Sequence, residues 1–226
     1  MNVMKRKQFA VLVALITGIA EHSLSETVTL TAMADSYLSS GDGEHRFHNY
    51  GGKTQMLVGN HPSLGNFHGL LRFDLSSLGS DAEIVSVTLK MSKPATGVGG
   101  PFSCRVVELS PENGDWVEGT TDGKRAKACT WDSKGSANWI GSVGASRAGK
   151  DYLEAPLAEY NGSVAAGDAV FSSKDGFADA VKKNAGGFLN LGFGMNADVS
   201  AKFYRFSTKE GGAPAQLIIE YTKILG

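Results

Sequence analysis

Several features are scarce or missing in this 226-residue sequence, and each shortage removes a class of protein. Cysteine occurs twice, at Cys104 and Cys129, so no disulfide framework carries the fold. Neither sign of charge dominates: 22 Lys and Arg face 23 Asp and Glu, for a net charge of −1. A nucleic-acid binder would show a basic excess. A local basic patch for an acidic sugar stays compatible with the balance. No apolar run reaches the roughly 20 residues that span a bilayer as a helix. There is no HExxH metal motif and no Gly-x-Ser-x-Gly nucleophile elbow. Gly144 to Lys150 has the spacing of a phosphate-binding loop, but Asp151 stands where Ser or Thr must reach magnesium, and Pro156 opposes the helix that would follow. His45, His48, His61 and His68 fall in Gly- and Asn-rich stretches without paired helical spacing, which reads as loop histidines rather than a zinc set. The carboxylates are scattered and single out no glycosidase pair.

What is present begins with an export signal. Lys5, Arg6 and Lys7 precede an apolar run from Phe9 to Ala20. Small residues then stand at the spacing that a signal peptidase reads, Gly18-x-Ala20 or Ser23-x-Ser25. Residues 1–25 therefore read as a secretory signal peptide, with an uncleaved anchor as the competing reading. Residues 26–226 read as a single domain with no second membrane span.

Short period-two segments dominate that domain. Thr27–Thr31 alternates polar and apolar residues; in Ser86–Met91, Val87, Leu89 and Met91 share one face. Leu189, Leu191, Phe193 and Met195 do the same, as do Leu217, Ile219 and Tyr221. Gln55–Gly59, Leu70–Leu75, Phe102–Leu109 and Ala169–Ser173 are further strand candidates. One helix is expected over Asp175–Asn184, with Asp175 as its N-cap and Gly186-Gly187 as its stop. Ser133–Ser146, rich in Gly, Ser and Ala, reads as a long loop. Many strands with one short helix predict an all-β, antiparallel two-sheet sandwich. Gly51-Gly52 is expected to supply a positive φ for a tight turn.

Three tryptophans are candidate sugar platforms. Trp116 and Trp131 read as core, and Trp139, inside the Gly/Ser stretch, as the exposed one. In an oxidising compartment Cys104 and Cys129 form the candidate disulfide. A bridge requires Cα atoms roughly 4.4–6.8 Å apart, which a sequence does not fix.

Several segments taken in order resemble a known family. They are Ala34–Leu38, Asn49-Tyr50-Gly51-Gly52, Leu57-Val58-Gly59, Leu70–Leu78, Ile84–Lys90, Trp116–Thr120 with Thr130-Trp131, Phe206–Glu210 and Leu217–Tyr221. This order is similar to the DNRLRE domain, also called the disaggregatase-related domain or family 96 carbohydrate-binding module, from about Val28 to Tyr221. The resemblance implies a jelly-roll β-sandwich, secreted or on the cell surface, that binds polysaccharide, in some members an acidic one such as alginate, and is not catalytic. Arg72 matches a basic position of the pattern in the Leu-x-Phe-Asp-Leu-Ser strand. Two other basic positions are absent, their places held by Ser39-Ser40 and Gly59-Asn60. Lys53, Arg46 and Arg205, with Trp139, complete the expected ligand-binding set, and Arg105 is a further cation for the patch. Guanidinium groups suit carboxylates because they bind them bidentately. Asp35 and Asn49 are the expected oxygen ligands of a structural calcium ion; the alternative for Asp35 is a turn-forming side chain bonded to its own backbone. The alternative function is a structural or adhesive surface protein that assembles through its sandwich edges.

Overall fold

The computed structural model describes residues 23–195 and 200–224. Most of the expected export signal, residues 1–22, lies outside the described residues. The described residues form thirteen strands in chain order: β1 (Ser23–Thr31), β2 (Ala34–Ser39), β3 (His48–Asn49), β4 (Gln55–His61), β5 (Gly65–Asp74), β6 (Glu83–Lys93), β7 (Cys104–Glu108), β8 (Lys124–Arg125), β9 (Ala158–Tyr160), β10 (Gly167–Ser173), β11 (Phe188–Phe193), β12 (Phe203–Ser207) and β13 (Gln216–Ile224). The helix α1 (Phe177–Lys183) lies between β10 and β11.

Eleven strands form one curled sheet in the order β1-β13-β6-β10-β9-β7-β11-β5-β4-β12, with β2 added alongside β5. Every pairing between strands is antiparallel. The corner is β10. Its residues Gly167–Phe171 pair with β6, and Ser172 and Ser173 then pair with β9. The sheet thus turns back on itself as a β-sandwich. Its principal core joins Leu89, Leu217 and Ile219 from one half to Leu71, Phe73, Phe193 and Phe206 from the other. The Phe171 ring lies 5.8 Å from that of Phe193 and 5.9 Å from that of Phe206. Period-two burial holds on β6, where Val87, Leu89 and Met91 point inward.

A second core lies apart from the first. It gathers Ala34, Leu38, Leu70, Val107 and Leu109 with Trp116, Cys129, Trp131, Trp139, Ala145 and Tyr152. The segment between β7 and β9 holds little regular strand, yet it packs over the sheet and buries all three tryptophans there. Asp151 is the hub of this cover and is fully buried. Its Oδ1 accepts from Gly141 N–H and Asn113 Nδ2, and its Oδ2 from Ser142 and Arg147 N–H. The residue that disqualifies a phosphate loop therefore organises a structural one.

Four expectations change. Trp139 is 5% exposed and donates from Nε1 to Thr130 O at 3.1 Å, so it is no sugar platform. Cys104 and Cys129 are both free and buried, one in each core, so the expected disulfide is not formed. Burial pushes both thiols upward, that of Cys129 to about 12, which keeps them protonated and unreactive. Helix α1 starts after Gly176, so Gly176, with a φ of 90°, is the N-cap in place of Asp175. Gly51 and Gly52 do not adopt a positive φ. A Cβ on either would collide with the backbone carbonyls of Glu118 and Thr120, so close approach is what requires glycine there.

Candidate functional site

The five residues expected to bind ligand separate into three roles. Arg72 faces the covering segment rather than solvent. Its Nη2 donates to Gly114 O and Trp116 O, both at 2.7 Å, and its Nε to Asn190 Oδ1 at 2.8 Å. The guanidinium lies 4.7 Å from the centre of the Trp116 ring, whose Nε1 donates to the same Asn190 oxygen. Arg72 is thus a structural clamp, and its expected ligand role is not supported by its position. Arg46 grips Asp132 through Nε at 2.9 Å and through Nη2, which ties the middle of the cover to the β2–β3 connection. The Arg46 and Arg125 guanidinium groups both lie over the Phe47 ring, at centroid distances of 5.5 and 4.6 Å. Trp139 is buried, as described.

Lys53 and Arg205 come together. They line an open cleft of about 190 Å³ with Tyr37, Thr54, Gln55 and Leu57. Strand pairing produces this arrangement. Arg205 on β12 stands opposite Leu57 on β4, and Ser207 opposite Gln55. Arg205 lies over the Phe203 ring at 5.0 Å, which fixes its stem. No carboxylate pairs with Arg205 among the described residues. Tyr37 forms the floor: it is 5% exposed and stacks on Tyr50 at 4.3 Å. Burial pushes the Tyr37 hydroxyl well above its usual range, so it acts as a neutral donor and acceptor. Lys53 Nζ pairs with Asp122 at the cleft rim.

A second polar cluster adjoins the end of β12. Asp35, Glu118 and Glu210 each bring a carboxylate oxygen within 4.8 Å of the others. Asp35 is 1% exposed and its Oδ1 has no hydrogen-bond partner. Its Oδ2 accepts from Lys209 N–H at 2.8 Å, while Asp35 N–H donates to Glu118 Oε1 at 2.6 Å. Burial raises the Asp35 carboxyl to about 7. Lys209 Nζ bonds Glu118 Oε2 at 2.5 Å and lies 3.6 Å from Glu210 Oε1. Asn49 does not share this cluster's ligand face. Its Nδ2 donates to Glu118 O and Cys129 O, and its Oδ1 accepts from Gly51 and Thr121. With both ends of its amide engaged, Asn49 is a staple, and the expected Asp35–Asn49 ligand pair does not form.

Sequence reasoning missed Tyr37, Gln55, Asp122, Glu118, Glu210 and Lys209 as site residues. Four of them lay inside segments quoted for the family resemblance: Tyr37, Glu118, Lys209 and Glu210.

A curled all-β sandwich with a shallow, cation-lined surface cleft is the architecture of a binding module. The sequence matches carbohydrate-binding module family 96 over residues 26–173, and the chain belongs to that family. The strands beyond the match are integral to the same sheet: β11 pairs with β5 and β7, and β13 with β1 and β6. No curated protein matches the chain. Among the described residues, no helix is long and apolar enough to cross a membrane.

Proposed function

We propose that the chain is an exported, non-catalytic module that holds an extracellular polysaccharide bearing carboxylates, of the alginate kind, in the Tyr37–Lys53–Gln55–Arg205 cleft. The observation that carries this reading is Arg205, a guanidinium held at an open cleft without a carboxylate partner among the described residues. A planar guanidinium receives a uronate bidentately. Gln55 and Thr54 supply hydroxyl- and amide-type partners for the ring substituents, and Leu57 an apolar edge. The lining offers groups that hold an anion and no pair of carboxylates of the kind that cleaves a glycosidic bond. Export fits the residue pattern of the N-terminus. Of the two cleavage positions in the sequence, the one after Ala20 is supported by the pairing of β1 from Ser23, where it faces Ile224.

Affinity electrophoresis in gels containing alginate, or neutral mannan as the control, tests this. Alginate should retard the protein and mannan should not. Arg205→Ala should weaken alginate binding about tenfold, the equivalent of about 1.4 kcal/mol. Retardation by neither polymer ends the polysaccharide reading, and equal retardation by both ends the acidic one.

We also propose Asp35, Glu118 and Glu210 as the place of a structural calcium ion. The buried, unpartnered Asp35 Oδ1 fits a hard cation, which prefers oxygen ligands. The ion would take the position that Lys209 Nζ holds between Glu118 and Glu210. Calcium at 100 times its Kd should add about 2.7 kcal/mol of stability, raising Tm by several degrees over an EDTA-treated sample. An identical Tm in calcium and EDTA would make Lys209 the resident cation.

A further inference from the structure

The Lys53 end of the cleft is masked. Asp122 stands on the turn between Gly119 and Lys124, and its carboxylate pairs with Lys53 Nζ. That turn is anchored on both sides of Asp122. Gly52 N–H donates to Thr121 O at 2.8 Å, and Gly123 N–H to Asn49 O at 2.9 Å. Thr121 Oγ1 donates to Asn49, and Asn49 itself pairs with Lys124 across the β3–β8 ladder. The backbone is thus fixed while the side chain is free to turn: Asp122 is 62% exposed and Lys53 39%. Exposed ion pairs are weak and exchange readily, so this one adds little to the fold. Its position gives it a different use. It places an anion on one of the two cations of the cleft and leaves Arg205 open.

We propose that Asp122 is an internal competitor for the carboxylate of the bound polysaccharide, holding Lys53 in the free protein and yielding it to a uronate. This rests on the acidic-glycan reading of the same cleft. A neutral chain carries nothing that displaces Asp122 from Lys53. A chain with a carboxylate does, and the cost of breaking the pair then sets how tightly even the correct ligand binds. Asp122 is in this sense a specificity-determining residue that touches the ligand's anchor rather than the ligand.

Titration calorimetry with alginate and with mannan tests the proposal on four forms of the chain: wild type, Asp122→Asn, Lys53→Met and the double variant. Asp122→Asn should bind alginate about two- to fivefold tighter than wild type. It should also show a steeper loss of affinity with salt. Lys53 would then carry a mobile counterion that binding releases, in place of a tethered carboxylate that binding only rearranges. In the Lys53→Met background the same substitution should change neither quantity. Alginate affinity that is unchanged or weaker in Asp122→Asn at unaltered Tm overturns the inference, as does an equal gain without Lys53. If wild type binds alginate but ignores the Asp122 substitution, only this inference falls. If no form binds alginate, the acidic-glycan reading falls with it.

Discussion

Replacing Arg72 with Met should lower stability by about 3–4 kcal/mol, and Tm by roughly 10 °C, while leaving the alginate affinity of the folded protein unchanged. The guanidinium joins β5 both to Asn190 on β11 and to Gly114 and Trp116 at the start of the covering segment. Removing it leaves Gly114 O and Trp116 O without a donor, while Asn190 Oδ1 loses one of its two and keeps Trp116 Nε1. Hydrogen bonds to a charged group contribute about 1.5–3 kcal/mol each at full burial, and Arg72 is only half-buried, so the sum is discounted. Met retains the aliphatic stem over Trp116 and loses the cation–π contact, which contributes about 0.5–2 kcal/mol. Arg72→Lys should recover only a minor part, because a single ammonium does not reach three acceptors arranged around a planar fork. Urea denaturation measures the loss, and affinity electrophoresis of the same variants measures binding. A variant with unchanged stability and lost alginate retardation would return Arg72 to the ligand site.

The contrast between Arg72 and Arg205 shows what the sequence made legible and what it hid. Period-two alternation located β6, β11 and β13 because one face of each meets the core and the other meets solvent. It did not flag β2, all six of whose residues are buried, since one face packs on the principal core and the other on the second. The same doubling explains Arg72. Leu70–Leu75 reads as an ordinary strand, but the segment between β7 and β9 covers the face of β5 that carries Leu70 and Arg72. That segment lacks periodicity because side-chain and backbone hydrogen bonds, centred on Asp151, hold it together instead of a ladder. Gly and Ser content therefore read as a loose loop, and Trp139 as exposed. The cleft shows the complementary case. Lys53 and Arg205 are 152 positions apart in the chain, and only the pairing of β4 with β12 sets their side chains around one opening.

Acid should loosen the cover before it unfolds the principal core, and His68 should be the cause. This side chain is 3% exposed, and its Nδ1 bonds Gly144 O at 2.7 Å. A carbonyl only accepts, so Nδ1 carries the proton and Nε2 has none in the neutral ring. The ring packs 4.7 Å from that of Trp131, and Gly144 itself lies so close to Trp131 that a Cβ there would enter the indole. Burial depresses the imidazole from 6.5 to about 4. The sign follows directly. Between those two values the unfolded chain binds the proton and the folded chain does not, so stability falls as pH drops through 6.5 and stops falling below about 4. At about 1.36 kcal/mol per pH unit, the loss over the window is about 3 kcal/mol. His68→Gln keeps a donor for Gly144 O and has no charge to gain, so its stability should lack this component. The difference between wild type and His68→Gln isolates His68 from the Asp35 carboxyl, whose raised value acts with the opposite sign. Tryptophan emission gives the local readout, because all three indoles belong to the second core. It should shift to the red between pH 6.5 and 4 in wild type, ahead of the loss of β-sheet circular dichroism, and stay constant in His68→Gln. Coincident transitions in wild type, or the same red shift in the variant, would show that the two cores open as one and that His68 does not govern the cover.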